Sequence, residues 1–229
     1  MSGATLPAGQ VSSRLPSAHL TRSLARRWAA TGLLSQLQLR KRVFWEAQGA
    51  ADCDALLRAY CAHVRSSRAA GALLLCVVGA KLSEGINFGD ELGRCVVVLG
   101  LPYGDLRDLE MQERLAFAEA AGGGGGGGGA LRAVPQRGGK PAALGPVARE
   151  MYTNLCMQAV NQCVGRAIRH ARDFAAIVLL DCRYTGAEGS GVKSKLPSWL
   201  TRTWVSCPAA FEPVERALRR FYQTCQGLG

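Results

Sequence analysis

The sequence lacks the cysteine and histidine spacings that metal sites require. Nine cysteines and three histidines are present, but no two cysteines form a CxxC pair and no histidine stands at metal-site spacing. This pattern argues against a zinc site or an iron–sulfur cluster held by this chain. Since an odd number of cysteines gives no complete disulfide framework, we expect reduced thiols, as in the cytosol or nucleus.

Long apolar runs and common nucleotide-binding loops are also missing. No stretch approaches the roughly 18 apolar residues of a membrane span, and the opening "MSGATLPAGQVSSRLPS" has no signal-peptide core. We therefore expect a soluble intracellular protein without a membrane partner. No GxGxxG follows an apolar run, which excludes a dinucleotide-binding oxidoreductase. No GxxxxGK[ST] loop is found either, because "RGGKP" has Pro141 in place of the hydroxyl residue.

Acidic residues are few relative to basic ones. Lysine and arginine number 28 against 17 aspartate and glutamate residues, so the net charge is +11. Such a balance favours polyanionic partners such as nucleic acid or nucleotide phosphates, although solubility alone could also explain it. With 229 residues, 48% of them hydrophobic, the chain is long enough for one substantial core.

Three continuous apolar runs dominate the pattern. They are Gly71–Gly79, Arg94–Pro102 and Ala175–Asp181. Runs of this kind, separated by helical patterns, predict an α/β fold: a three-layer domain whose mainly parallel sheet is flanked by helices. We expect the three strands to be adjacent or nearly so.

Amphipathic patterns complete the predicted layout. Helices are expected at Leu20–Leu39, Ala50–Val64, Leu106–Ala121 and Ala209–Gln226, with a short strand at Lys41–Glu46. We expect residues 1–20 to be poorly ordered and residues 21–229 to form the domain. Within it, the glycine-rich stretch 122–146 predicts a flexible surface insertion.

Two segments carry polar residues in patterns that suggest chemistry. The loop "GAKLSEGINFGD" follows the first apolar run and offers Ser83, Glu84 and Asn87 among glycines. It is either a ligand loop or an ordinary turn with Ser83 as helix N-cap. In "NQCVGRAIRHARDF", Gln162, Arg166 and Arg169 fall on one stripe if residues 161–172 are helical. That stripe is either functional or solvated.

Taken together, the two segments resemble helicase motifs. Gln162, Gly165, Arg166 and Arg169 spell QxxGRxxR, motif VI of superfamily 2 helicases, and "SEGINF" resembles motif V. The order of strands and motifs resembles the second RecA-like domain of these motors. With "GLLSQLQLRKRVFWE" and "KLPSWL", the chain is similar to the XPD-like iron–sulfur DNA helicases, in particular to their chromosome-loss branch.

This resemblance implies roles for individual residues. Arg169 would act as the arginine finger on ATP, with Arg166 beside it. Gln162 would have a positioning role in the same site. Further nucleotide-site residues would be Gly85, Glu84 and Asn87, and nucleic acid would be contacted by Ser83, Lys81, Arg40, Lys41 and Arg42. Since ligands of parallel sheets bind at the carboxyl ends of strands, we expect Glu84 and Arg169 at that rim.

The resemblance also implies cofactors that this sequence does not bind without a second domain. ATP and Mg²⁺ would be shared with a first RecA-like domain, because the sequence has neither Walker A nor an acidic box. The iron–sulfur cluster would likewise belong to the missing half. We expect a truncated helicase, a gene-model fragment or a partial copy.

The complete enzyme would be an ATP-dependent helicase with 5'–3' polarity, acting on single-stranded or forked DNA in the nucleus. Its partners would be proteins of cohesion and replication, and its role would include DNA repair. The alternative is a non-catalytic module that binds nucleic acid or a partner protein without turnover.

Overall fold

The computed structural model describes residues 11–15, 18–46, 50–66, 71–79, 88–122, 144–170, 172–185, 189–207 and 210–226. The strands in these ranges are β1 (Val11–Leu15), β2 (Lys41–Trp45), β3 (Gly71–Val77), β4 (Cys95–Leu99) and β5 (Ala176–Leu180). The α-helices are α1 (Ala18–Ala30), α2 (Leu33–Gln38), α3 (Ala50–Ser66), α4 (Leu109–Gly122), α5 (Pro146–Val164), α6 (Gly189–Lys193), α7 (Ser198–Thr201) and α8 (Phe211–Gln226). Short three-ten helices lie at Asp90–Leu92 and Cys182–Tyr184.

All five strands join in one parallel sheet of order β2-β3-β1-β4-β5. The three apolar runs form β3, β4 and β5, as predicted. Strands β4 and β5 are neighbours, whereas β1 separates β3 from β4. The predicted strand at Lys41 is the edge strand β2.

Strand β1 lies within residues 1–20, for which we expect poor order, and the structure describes residues 11–15 and 18–20 of that segment. Val11–Leu15 pairs with β3 on one side and with β4 on the other, so it lies at the centre of the sheet. Its sequence, VSSRL, offers few apolar side chains. Hydrogen bonding to two neighbouring strands therefore orders it more than its own hydrophobicity does.

Helices cover both faces of the sheet and confirm the three-layer α/β fold. Leu73 and Leu75 pack against side chains of α1 and α2, and Cys95 packs against α8. The alternate residues Leu74 and Val96 pack in clusters with α3 and α5 on the opposite face. Successive residues of a strand point to opposite faces, and both sets are apolar because both faces are covered.

The predicted helix Leu20–Leu39 is interrupted. It forms two helices, α1 and α2, which are separated at Thr31 and Gly32. Gly32 has φ +72°, a left-handed conformation that ends a helix and that glycine adopts without steric cost.

Helices α3, α4 and α8 follow the predicted amphipathic patterns to within a few residues. For the expected insertion 122–146, residues 123–143 lie outside the described ranges. Its two ends are helical, since Gly122 closes α4 and Pro146 opens α5. The Glu119 carboxylate accepts a 2.7 Å hydrogen bond from the backbone N–H of Ala148, which joins the two helices. Among the described helices, none combines the length and the apolar character needed to cross a bilayer.

Candidate functional site

The motif VI segment is not one continuous helix. Helix α5 ends at Val164, so Gln162 lies in its last turn while Arg166 and Arg169 follow in a loop. The condition for the polar stripe, one helix over residues 161–172, is therefore not met. The carbonyl of Arg166 accepts a 3.1 Å hydrogen bond from the backbone N–H of Phe88 instead of one from a following helical turn.

The loop that carries the two arginines lies at the amino-terminal rim of the sheet. It precedes β5, and its Asp173 contacts Arg94, the residue just before β4. The expectation that Arg169 lies at the carboxyl rim is therefore wrong. The reason is topological: a helix that returns to a parallel sheet runs opposite to the strands, and so α5 ends where β5 begins. Glu84 lies outside the described residues.

Asp173 is the centre of the loop's hydrogen bonding. Its carboxylate has no exposed surface and lies 2.8 Å from the guanidinium of Arg94. It also accepts hydrogen bonds from the backbone N–H groups of Asp90, Arg169 and Phe174 at 2.9–3.3 Å. Burial alone would raise the pKa of Asp173. The backbone N–H groups and the Arg94 guanidinium outweigh burial and hold that pKa below its ordinary value.

Gly89 allows Arg169 to approach the segment before β4. A Cβ atom built on Gly89 would lie only 3.1 Å from Cγ of Arg169. Beside them, Nε2 of His170 lies 2.9 Å from the Asp90 carboxylate, and Nδ1 of His170 accepts from the backbone N–H of Arg172. His170 thus contributes to the contact between the two segments.

Asp90, His170 and Asp173 could in principle hold a metal ion, since their ligand atoms lie within 4.8 Å of one another. The Asp173 oxygens, however, already accept from three backbone N–H groups and the Arg94 guanidinium. A cation would have to displace these donors and approach a guanidinium charge. The arrangement is therefore better suited to joining two segments than to binding Mg²⁺.

Gln162 lies in a surface groove along α5. The groove has a volume of about 530 Å³ and is lined by Asn154, Met157, Gln158, Asn161, Gln162 and Lys195. Nζ of Lys195 lies 2.6 Å from Oδ1 of Asn154, and Asn161 donates a 2.8 Å hydrogen bond to the carbonyl of Lys195. Lys195 belongs to the "KLPSWL" segment, so the resemblance noted in the sequence could have drawn attention to it.

The expected nucleic-acid residues divide into two groups. Lys81 and Ser83 lie outside the described ranges, as do Gly85 and Asn87 of the expected nucleotide site. Arg40, Lys41 and Arg42 are described, at the amino end of β2.

Lys41 and Arg42 do not share one face of the sheet. Lys41 is half-buried, and burial lowers its pKa, while the nearby Cys95 has the opposite, smaller effect. Arg42 is exposed, and its guanidinium lies 5.1 Å from the centre of the Phe44 ring. As neighbours in a strand, the two side chains point to opposite faces. Strands β3, β1 and β4 lie between β2 and β5, the strand that the motif VI loop precedes, a distance of roughly 19 Å at the usual strand spacing.

Comparisons with known proteins place the sequence beside known helicases. Residues 5–203 match the helicase C-terminal domain family. The chain is 42% identical over 215 residues to the ATP-dependent DNA helicase DDX11 of Mus musculus, covering 91% of this chain and 21% of the relative. It is also 42% identical over 177 residues to the ATP-dependent DNA helicase CHL1 of Coccidioides immitis, covering 77% of this chain and 19% of that protein.

A solved structure of an XPD helicase is similar in fold. The TM-score is 0.50 at 18% sequence identity, over 81% of this chain and 27% of the other. At that identity the likeness concerns the fold alone. The chain spans about a fifth of the length of the curated relatives that it matches.

Proposed function

Because the chain belongs to the helicase C-terminal domain family, we propose that it works as the second RecA-like half of an ATP-dependent 5'–3' DNA helicase. In this role it closes on a first RecA-like domain that holds the nucleotide. The observation that carries the proposal is the motif VI loop, where buried contacts of Asp173 and Phe88 hold the backbone of Arg166 and Arg169 in a defined place.

The proposed chemistry follows from the properties of guanidinium groups. Arg169 is exposed, and Arg166 is half-buried beside it. A guanidinium stays charged at all relevant pH values and presents planar N–H donors to phosphate oxygens. Arg169 would therefore stabilise charge on the transferring phosphoryl group, with Arg166 and Gln162 as neighbouring contacts.

The nucleotide and its metal ion would come from the partner domain. ATP with Mg²⁺ supplies the phosphoryl group and neutralises its charge, while this chain supplies only the groups that approach it from the other side of the cleft. Residues Glu84, Gly85 and Asn87 are proposed to lie near the nucleotide. The family's iron–sulfur cluster would belong to the first half of such an enzyme.

DNA would be the second ligand. We propose contacts to single-stranded or forked DNA through Lys81, Ser83 and exposed basic residues such as Arg40 and Arg42. The net charge of +11 supports a polyanionic partner. The names of the relatives, ATP-dependent DNA helicases, support the same assignment. A nuclear location, with roles in cohesion and repair together with replication proteins, is part of this proposal.

The test is complementation in trans. The mouse relative would be prepared without the segment that aligns with this chain, and ATP hydrolysis would be measured with single-stranded DNA, with and without the chain. We expect the chain to restore DNA-stimulated hydrolysis. Arg169→Ala should abolish the effect, whereas Arg172→Ala, an exposed arginine of the same loop outside QxxGRxxR, should retain it.

Two results would contradict the proposal. One is an absence of hydrolysis with the wild-type chain although both proteins are folded. The other is equal activity of Arg169→Ala and wild type. Failure of hydrolysis together with tight DNA binding by the chain would favour the non-catalytic binding module.

A further inference from the structure

We infer that Asp173 is a positioning residue that holds Arg169 against the segment Phe88–Arg94. The inference rests on the proposed function of Arg169. It adds that the motif VI loop and the end of the "SEGINF" loop move as one body. If a phosphate group moves Arg169, the residues that follow Asn87 would therefore move with it.

The first argument is the origin of the donors around Asp173. They come from three places in the chain: Asp90 and Arg94 before β4, Arg169 in the motif VI loop, and Phe174 before β5. A single buried carboxylate thus connects segments that are about 80 residues apart in sequence. Because the Asp173 side chain has no exposed surface, its carboxylate would be costly to leave without these donors.

The second argument is that the bond to Arg169 is made by its backbone. The N–H of Arg169 donates to Oδ2 of Asp173 at 3.2 Å, so the place of the Arg169 backbone is set while its guanidinium takes no part in this bond. Gly89 then allows close packing of Cβ and Cγ of Arg169. The Phe88–Arg166 hydrogen bond holds the same two segments three residues earlier in the loop.

The third argument concerns the need for a carboxylate. Ionised aspartate accepts at both oxygens, whereas asparagine would turn an NH₂ group toward N–H donors on one side. Asparagine has nearly the same shape but cannot satisfy all four donors. Asp173→Asn should therefore loosen the loop without removing the side chain's volume.

A matched control lies at the other end of β5. Asp181 follows that strand as Asp173 precedes it, and its carboxylate accepts from Arg183 at 2.7 Å. Its exposed fraction is only 9%. Asp181→Asn thus breaks a similar ion pair at the opposite rim, away from Arg169.

The first experiment uses the trans hydrolysis assay described for the proposed function. We expect Asp173→Asn to lower kcat about tenfold or more, with a change of less than about threefold in the ATP concentration for half-maximal rate. Asp181→Asn should stay within about twofold of wild type. Wild-type activity in Asp173→Asn, or an equal loss in Asp181→Asn, would overturn the inference.

The second experiment measures amide hydrogen exchange in the full chain alone. Asp173→Asn should speed exchange at least about tenfold in residues 88–94 and 165–174, and leave α3 and β3 unchanged. Unchanged protection of residues 88–94 would overturn the inference. Should the wild-type chain support no hydrolysis, the proposed function fails, and the exchange result still decides whether Asp173 holds the two segments together.

Discussion

The backbone N–H of Phe88 donates a 3.1 Å hydrogen bond to the carbonyl of Arg166. Phe88 is the last residue of "SEGINF" and is buried against α3, while Arg166 belongs to QxxGRxxR. The two helicase motifs therefore meet through main-chain atoms. Since no side chain mediates this bond, the contact depends on the fold more than on the identity of either residue.

The isolated chain should not hydrolyse ATP. Its sequence contains neither a Walker A loop nor an acidic box, and an arginine can stabilise a transferring phosphoryl group only when the nucleotide is held opposite it. Phosphate release should equal that of buffer, even with single-stranded DNA present. Turnover that disappears in Arg169→Ala would reveal a nucleotide site within the chain itself.

Single-stranded DNA should bind weakly and without sequence preference. We expect about two to four phosphate contacts, which give a slope of about −0.7 per contact in a plot of log affinity against log salt concentration. Glu84→Gln should leave the slope nearly unchanged if motif V mainly transmits the nucleotide state. Affinity that persists at high salt, or a preference for one base sequence, would instead support a stand-alone binding module.

The basic residues at the amino end of β2 should contribute unequally to this slope. Reversing the charges of the exposed Arg40 and Arg42 should reduce its magnitude by about one contact. Lys41→Gln should change it less, because Lys41 is half-buried and points to the other face. Fluorescence anisotropy at several salt concentrations would measure both variants. Equal effects would show that the side chains share the DNA path.

Asp173 should stabilise the protein in a pH-dependent way. Its folded-state pKa lies below the ordinary value, so its contribution is complete above about pH 4 and is lost as pH falls further through the folded-state pKa. Urea unfolding between pH 5 and about 2 should thus show a shallower decline of stability in Asp173→Asn than in wild type. Parallel curves for the two proteins would contradict this.

Two glycines before β4 should respond differently to alanine. Gly89→Ala requires Arg169 to shift by a few tenths of an ångström, so stability should change little while trans hydrolysis falls. Gly93→Ala would overlap the carbonyl oxygen of Phe88 and should cost about 1–3 kcal/mol of stability. Denaturant unfolding of both variants checks the difference. Equal destabilisation would show that the Gly89 contact is as rigid as the Gly93 contact.

The sequence alone determined the layers of this fold and the motifs that identify its family. Continuous apolar runs predicted β3, β4 and β5 because a strand covered on both faces needs apolar side chains at every position. Amphipathic periodicity predicted α3, α4 and α8 to within a few residues, since each depends on the burial of one face. The QxxGRxxR and "SEGINF" patterns pointed to helicases, and the family match confirms that resemblance.

Tertiary structure decided three features that local sequence patterns do not predict: the place of β1, the end of α5 and the contacts of Asp173. Val11–Leu15 becomes the central strand because two neighbours supply its hydrogen bonds. Helix α5 runs opposite to the strands, so the arginines that follow it lie at the amino rim, where the distant Phe88 binds the carbonyl of Arg166. The role of Asp173 likewise arises from donors about 80 residues away in the chain. Residues so far apart in the chain form no periodic pattern in the sequence, so their contact becomes visible only in the folded structure.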